Sequence, residues 1–173
     1  MVQMSEKEAG MEFERIVAEL FAYKGYSVER NVTVEGRSGK CEIDVLGEKN
    51  KKIGIERIAI ECKFKNGGEI ERWEVLLWNA KVFEIEMDAS CKIDEVYFVT
   101  DGRFQPTARN TGDYYGMILL DGTDLNQEFK KYGMDTYCRR PRPNFDGSLS
   151  ELTREIVRYG IKHGPDLSKL LGV

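Results

Sequence analysis

The chain has 173 residues, enough for one domain with a small appendage. Its composition, with 41% hydrophobic and 32% charged residues, favours a globular core over general disorder. The formal net charge of −4 argues against a protein that coats nucleic acid by bulk electrostatics, although local basic patches can still engage phosphates. No apolar run approaches the ~20 residues that span a bilayer. The first residues, with Glu6, Lys7 and Glu8, do not resemble a secretory signal. We therefore expect a cytoplasmic protein without membrane association.

Hydrophobic periodicity predicts a chain that mixes helices and strands. In chain order the predicted elements are a helix over 5–24, strands over 26–34, 41–46 and 57–64, a helix over 69–87, a strand over 95–100, a helix over 106–115, a strand over 117–120 and a helix over 123–132. Ser5 and Glu8 predict a capping box, Gly25 a helix stop, and residues 47–52 a solvated hairpin connection. This order predicts an α/β fold, with a mixed central sheet flanked by helices on both faces.

The character of the chain changes after Gly133. We expect one domain over 1–133, a basic, proline-containing linker over 134–147 and a small helical C-terminal segment over 148–173. Because the last segment is too short to hold its own core, it should dock on the main domain, on a partner subunit or on DNA.

The cysteines and tryptophans are interpreted as packing residues. Cys41, Cys62, Cys91 and Cys138 are widely spaced and form no CxxC pair, so small core-filling side chains are favoured over a zinc site. Trp73 and Trp78, on the helix over 69–87, are likewise interpreted as packing residues rather than base-stacking platforms.

Candidate catalytic residues lie on the two strands over 41–46 and 57–64. Alternation predicts that Cys41, Ile43 and Val45 share one face, with Asp44 on the other. It also predicts that Ile58, Ile60, Cys62 and Phe64 point one way and that Ala59, Glu61 and Lys63 point the other way. Adjacent Glu61 and Lys63 fit two interpretations, an active site or an ion pair on a water-facing sheet surface.

Magnesium needs only one or two protein carboxylates, with water and substrate phosphate as its other ligands. Asp44 and Glu61 meet that need, and the backbone carbonyl of Cys62 could add a third oxygen. Lys63 would orient or help deprotonate the attacking water, or stabilise charge on the phosphate. The residues thus predict metal-assisted phosphodiester hydrolysis with Mg²⁺, or Mn²⁺ as a substitute, and no small organic cofactor. Periodicity alone favours a solvated helix charge for Glu14.

Asp44 followed by Glu61-Cys62-Lys63 at the end of an apolar strand resembles the PD-(D/E)xK nuclease superfamily. Three further stretches resemble its Mrr-type restriction endonuclease branch, which is related to archaeal Holliday-junction resolvases. They are Gly10 to Arg15, Glu42 to Val45, and Tyr97 to Thr100 followed by Gly116 to Gly122. The resemblance spans roughly Gly10 to Leu125.

The resemblance implies a restriction-endonuclease-like fold and assigns four site residues. Glu14 matches the helix-borne acidic residue, Asp44 and Glu61 the metal ligands and Lys63 the catalytic lysine, which replaces the solvated interpretation of Glu14. Ile43 stands where the motif often has Pro, and Glu61 where the Mrr branch often has Gln. No motif residue is missing, so an active enzyme is favoured over an inactive relative.

The sequence also predicts DNA contacts, in loops expected to end near the cleft. Phosphate-positioning side chains are expected at Arg37, Lys40, Lys65, Arg103, Gln105 and Arg109, although an ordinary solvated surface fits each one singly.

The leading hypothesis is an Mg²⁺-dependent DNA endonuclease of restriction or repair type. A junction resolvase and a non-catalytic DNA-binding subunit of the same fold are the alternatives. A homodimer is expected for double-strand breaks, because one cleft cuts one strand.

Overall fold

The computed structural model of the protein describes residues 5–87 and 92–134. Its first helix, α1 (Glu6–Tyr23), begins with a reciprocal cap between Ser5 and Glu8. The Glu8 amide donates to the Ser5 hydroxyl over 3.3 Å, and the Ser5 amide donates to Glu8 Oε2 over 3.0 Å. Gly25, with φ at +92°, turns the chain after the helix. The predicted capping box and helix stop are both confirmed.

The next three strands form an antiparallel meander. They are β1 (Ser27–Gly36), β2 (Gly39–Asn50) and β3 (Ile55–Lys63). The predicted connection over 47–52 is wrong, because residues 47–50 belong to β2 and pair with β3, and Gly47 and Glu48 also pair with β1. A Cβ at Gly47 would lie 2.7 Å from Ile58 Cγ1, so this position is a close approach between strands rather than a turn.

Four strands and three helices follow β3 in the described part of the chain. Residues predicted to begin a helix at 69 instead form a short strand, β4 (Glu69–Ile70), before α2 (Arg72–Met87). The strand β5 (Glu95–Thr100) then leads to β6 (Arg103–Phe104), which pairs in parallel with β4. The helix start predicted at residue 69 is wrong because residues 69 and 70 pair with β6, which is distant in sequence. The remaining elements are α3 (Pro106–Tyr114), β7 (Ile118–Leu120) and α4 (Gly122–Lys131).

The predicted mixed sheet is confirmed, with the strand order β1-β2-β3-β5-β7. β3 pairs antiparallel with β2 and parallel with β5, and β5 is also parallel to β7. Lys63 therefore lies beside Thr100, and the carboxyl ends of β3 and β5 meet at one edge of the sheet.

Two hydrophobic layers cover the sheet. Ile58, Ile60 and Cys62 pack against α1 and α4, whereas Ala59 packs against α2 and α3, which confirms the alternation predicted for β3. On α2, Trp78 is 1% exposed and packs as predicted, but Trp73 is 58% exposed. The packing interpretation is therefore wrong for Trp73. The helix is apolar on two sides, and only one of them faces the sheet.

The strand β2 changes layers in its middle. Val45 packs in the layer of α1, but Ile43 packs in the layer of α2 with Cys41 against it, so the single face predicted for these three residues is wrong. The ladder with β1 omits Asp44 and Asn31, and Asn31 has a left-handed φ of 53°. The break in the ladder coincides with the candidate catalytic aspartate.

No helix within residues 5–87 and 92–134 is long and apolar enough to cross a bilayer. Cys62 is a buried free thiol and Cys41 a half-buried one, in agreement with a packing role. Cys91, Cys138, the predicted linker beyond Met134 and the predicted segment over 148–173 lie outside the described residues.

Candidate active site

Asp44 is fixed at the point where β2 and β3 stop pairing. The register ends at Val45 beside Ile60, so Asp44 comes next to Glu61. At this point the Cys62 amide donates to Asp44 Oδ2 over 2.7 Å, so a side chain takes the place of a backbone acceptor. The hydrogen bond holds one carboxylate oxygen against the end of β3 and leaves the other oxygen for a different partner.

Glu61 is 6% exposed and receives an ammonium on each oxygen. Lys63 Nζ lies 3.2 Å from Oε1, and Lys81 Nζ lies 3.1 Å from Oε2. Lys81 comes from α2, where its ammonium also lies over the Trp78 ring, 5.3 Å from the centroid. Buried carboxylates need such partners, because an unpaired charge loses its hydration without compensation.

The surroundings of Asp44 disfavour its charged form. Burial, with smaller contributions from the Glu61 and Glu14 carboxylates, raises the pKa of Asp44 to about 7, against the opposing effects of the Cys62 amide and Lys81. Burial alone would lower the pKa of Lys63, but Glu61 and Asp44 outweigh it, and the pKa is raised. The site therefore combines a lysine whose charged form is favoured with a carboxyl group whose charged form is disfavoured.

Glu14 is not a solvated helix charge. It is half-buried on α1, and Arg30 Nη2 lies 3.4 Å from its Oε2 while donating to the Met11 carbonyl over 2.9 Å. Burial raises the pKa of Glu14, Arg30 opposes this, and the charges of Glu42 and Glu61 add to the increase. Glu14 is therefore a half-buried carboxylate that pairs with Arg30.

The loop after β3 is held by a second buried acid, Asp101. The amides of Lys65 and Gly67 donate to its two carboxylate oxygens over 2.5 and 2.8 Å. The Lys65 side chain pairs with buried Glu74 at 2.7 Å, and Glu74 also accepts from the Glu71 amide. Lys65 is thereby oriented beside Lys63 on the same wall of the site.

Glu61, Lys63 and Lys65 face an open cleft of about 600 Å³ between the start of α1 and α2. The cleft is lined by Ser5, Glu6, Ala9, Glu61, Lys63, Phe64, Lys65, Asn66, Trp73, Glu74 and Leu77. Its floor is charged, whereas Trp73 and Leu77 give one wall exposed apolar surface.

The residues predicted to contact DNA occupy three places. Lys65 lies in the cleft, and Arg37 and Lys40 lie on the exposed tip of the β1–β2 hairpin. Arg103 and Gln105 follow β5 at the same sheet edge, where both approach Glu69.

Arg109 forms an ion pair that links two helices of the fold. Its Nη2 lies 2.6 Å from Asp121 Oδ2, and its guanidinium lies over the Phe104 ring. Asp121 caps α4, so this ion pair joins α3 to the start of α4.

The carboxylates fit a divalent cation in charge and ligand type. Within the described ranges, no group of three or more Asp, Glu, His or Cys side chains is arranged to hold a metal. Magnesium does not require such a group, since two carboxylates and a backbone oxygen leave positions for water and phosphate. The supporting observation is the donor set: Asp44 keeps one carboxylate oxygen that the Cys62 amide does not bind, and it lies next to Glu61.

A family model for the Mrr catalytic domain, described as restriction endonuclease, matches residues 5–129. The chain belongs to this family, and the predicted resemblance is confirmed. The family is one of nucleases, which supports a nuclease activity here. No curated protein has a significant sequence match to the chain.

Solved structures share the fold. A protein of unknown function, AF1548, is 23% identical with a TM-score of 0.62, over 94% of this chain and 89% of that chain. The DNA modification-dependent restriction endonuclease AspBHI is 13% identical with a TM-score of 0.50, over 92% of this chain and 41% of that chain. The restriction-endonuclease-like fold predicted from the sequence is confirmed.

Three site residues escaped prediction, namely Lys81, Glu74 and Asp101. Lys81 and Glu74 lie on α2, where charged residues at helical spacing are usually solvated. Asp101 resembled a simple strand terminator before a glycine.

Proposed function

We propose that the protein is a divalent-metal-dependent DNA endonuclease that hydrolyses phosphodiester bonds. The observation that carries the proposal is Asp44 fixed by the Cys62 amide beside Glu61 and Lys63, at a strand end in a restriction endonuclease family. A surface ion pair does not account for this arrangement, because Glu61 is buried and binds two lysines.

Each residue has a distinct role in the proposal. Asp44 and Glu61, with the Cys62 carbonyl, would hold Mg²⁺ or Mn²⁺, which supplies charge stabilisation and a more acidic water at the scissile phosphate. Lys63, with 44% of its side chain exposed, orients that water or neutralises the developing phosphate charge. The charge of Glu14 acts on Asp44 and would add negative potential that favours a cation at the site.

DNA would run along the sheet edge where β3 and β5 end. In this proposal Lys65, Arg103 and Gln105 position phosphates next to the cleft, and Arg37 and Lys40 reach the duplex from the hairpin tip. Arg109 remains part of the proposed set, although its ion pair with Asp121 favours an indirect role. Cleavage of both strands would use two copies of the chain.

The test is cleavage of plasmid, linear and four-way DNA in Mg²⁺, Mn²⁺ or EDTA. Lys63→Ala and Asp44→Asn should each lower the cleavage rate by about a hundredfold or more, since each removes a group acting at the phosphate. Lys52→Ala is the matched control, because Lys52 is exposed in the turn before β3, at the opposite end of that strand.

Metal-independent cleavage, or equal activity in the wild type and in folded Lys63→Ala and Asp44→Asn, would contradict the proposal. Cleavage confined to four-way DNA would reassign the protein to the resolvase class. Binding of all three DNAs without cleavage in any metal would assign it to the non-catalytic class.

A further inference from the structure

Glu61 holds a cation that the nuclease motif does not include. Lys63 and Lys81 each occupy one of its oxygens, and they reach it from different elements, β3 and α2. A carboxylate with both oxygens paired to ammonium groups can ligate a metal only after at least one pair loosens.

The electrostatic contacts distinguish the two lysines. Lys81 Nζ lies 3.1 Å from Glu61 Oε2, and the register of β2 and β3 places Asp44 next to Glu61. Its ammonium is thus bound to one carboxylate of the proposed metal pair, beside the other. Lys63 is more exposed, with 44% of its side chain accessible against 30% for Lys81.

The Lys81 ammonium also contacts an aromatic ring. Its ammonium lies over the ring of Trp78, which is anchored by a hydrogen bond from Nε1 to the Tyr97 carbonyl over 3.0 Å. A cation–π contact stabilises an ammonium at this place without adding a further acid. Lys81 is therefore held at the site by a neutral platform and by Glu61.

We propose that the Lys81 ammonium is the resident cation of the metal-free site and that a divalent metal must displace it from Glu61 to bind. The inference rests on the proposed function, since it assumes that Asp44 and Glu61 are metal ligands. Lys81 is a positioning residue in this scheme. In the metal-free protein its positive charge offsets the repulsion between the Asp44 and Glu61 carboxylates. The same charge lowers the affinity of the site for a divalent metal.

The experiment is calorimetric titration of the full chain with Mn²⁺ in the absence of DNA. Lys81→Met should lower the Mn²⁺ Kd by about tenfold, because a positive charge next to a divalent cation is removed. The same variant should melt at a lower temperature than the wild type in EDTA, since Glu61 loses a partner. A residue with a merely structural role would lower the melting temperature without tightening metal binding.

Two matched variants isolate the effect. Lys81→Arg keeps the charge, so its Kd should stay within about threefold of the wild-type value. Lys65→Met removes a different cleft lysine, paired with Glu74, and should change the Kd by less than about threefold. If Lys81→Met does not fold, Lys81→Gln, which keeps a polar side chain, replaces it.

The possible outcomes separate the two proposals. Absence of Mn²⁺ binding that depends on Asp44, measured with Asp44→Asn, would overturn the metal site and the inference with it. Wild-type binding that depends on Asp44, together with an equal or weaker affinity in Lys81→Met, would overturn the Lys81 inference alone. Equal tightening in Lys65→Met would overturn it as well, because the effect would then be one of general charge.

Discussion

At the scale of single residues, the surroundings of Asp44 oppose its ionisation. It is half-buried, lies near Glu61 and Glu14, and keeps one strong hydrogen bond from the Cys62 amide. Its carboxyl therefore prefers the proton, and its pKa rises from an ordinary 3.8 to about 7. The ionised form of Asp44 thus weakens the fold.

The sign of the pH dependence follows from that raised pKa. Below about pH 3 the Asp44 carboxyl is mostly protonated in folded and unfolded chains alike, so it has little effect on stability. As the pH rises towards 7, the unfolded chain releases this proton first, and stability falls by at most about 1.4 kcal/mol per pH unit. Above the folded pKa the loss is complete. Asp44→Asn should therefore raise the free energy of unfolding at about pH 8 in EDTA and leave it nearly unchanged at about pH 3.

Urea unfolding at the two pH values measures this difference. Asp94→Asn is the control of opposite sign, because a hydrogen bond from the Arg57 amide lowers the pKa of Asp94. Its charge stabilises the fold above the unfolded pKa, so the Asn variant should lose stability as the pH rises. Equal stability of Asp44→Asn and wild type at pH 8 would show that Asp44 is not strained.

At the scale of elements, the site depends on close backbone contact between two loops. Asp101 binds the amides of the loop after β3, and the Arg103 amide donates to the Gly68 carbonyl over 2.9 Å. A Cβ at Gly102 would lie 1.9 Å from that carbonyl oxygen. Only glycine allows the ribbon of β4 and β6 to close and to hold Lys65 beside the cleft.

Gly102→Ala should lower the free energy of unfolding by about 1–3 kcal/mol, because backbone must move to accept the methyl group. It should also weaken DNA binding, since the loop that carries Lys65 shifts. Gly10→Ala is the contrasting change. No atom lies within 4 Å of a Cβ at this position of α1, and alanine should add about 0.5–1 kcal/mol. Chemical denaturation of both variants gives the comparison, and an unaltered Gly102→Ala protein would refute the packing argument.

At the scale of the whole molecule, the site spans the junction of two layers. The hairpin of β1 and β2 carries Asp44, and α2 carries Lys81. Glu84 ties them together, because its Oε2 accepts from the Ser38 amide over 2.8 Å and its carbonyl accepts from the Arg37 amide over 3.3 Å. These two hydrogen bonds therefore fix the hairpin tip to α2, in a part of the hairpin that does not pair with β3.

Glu84→Ala should free the hairpin tip while the sheet stays intact. Loss of about 1 kcal/mol of local stability would speed amide hydrogen exchange in residues 38–43 about fivefold. Exchange in β5 should be unchanged. Glu84→Gln retains a side-chain acceptor for the Ser38 amide and should exchange nearly as slowly as the wild type. Uniform acceleration across the sheet would indicate a global rather than a local effect.

The sequence predicts the fold and the central pair of the site because local patterns determine them. β3 alternates strictly between two covered layers, so its side chains could be assigned, and neighbouring strands brought Asp44 next to Glu61. The exposed face of α2 could not be assigned, since Trp73 and Trp78 both lie on apolar sides of that helix. Lys81 was missed because its partner is 20 residues away and belongs to another layer.

Of the two tryptophans of the chain, Trp73 is exposed at the cleft and Trp78 is buried in the core. Trp73 forms part of the cleft wall, whereas Trp78 lies beneath the Lys81 ammonium. With Trp78→Phe, the remaining indole emission would respond to DNA that enters the cleft. With Trp73→Phe, it would respond to departure of the ammonium as metal is added. Intrinsic fluorescence can therefore time cation entry and substrate arrival separately, in an unlabelled protein.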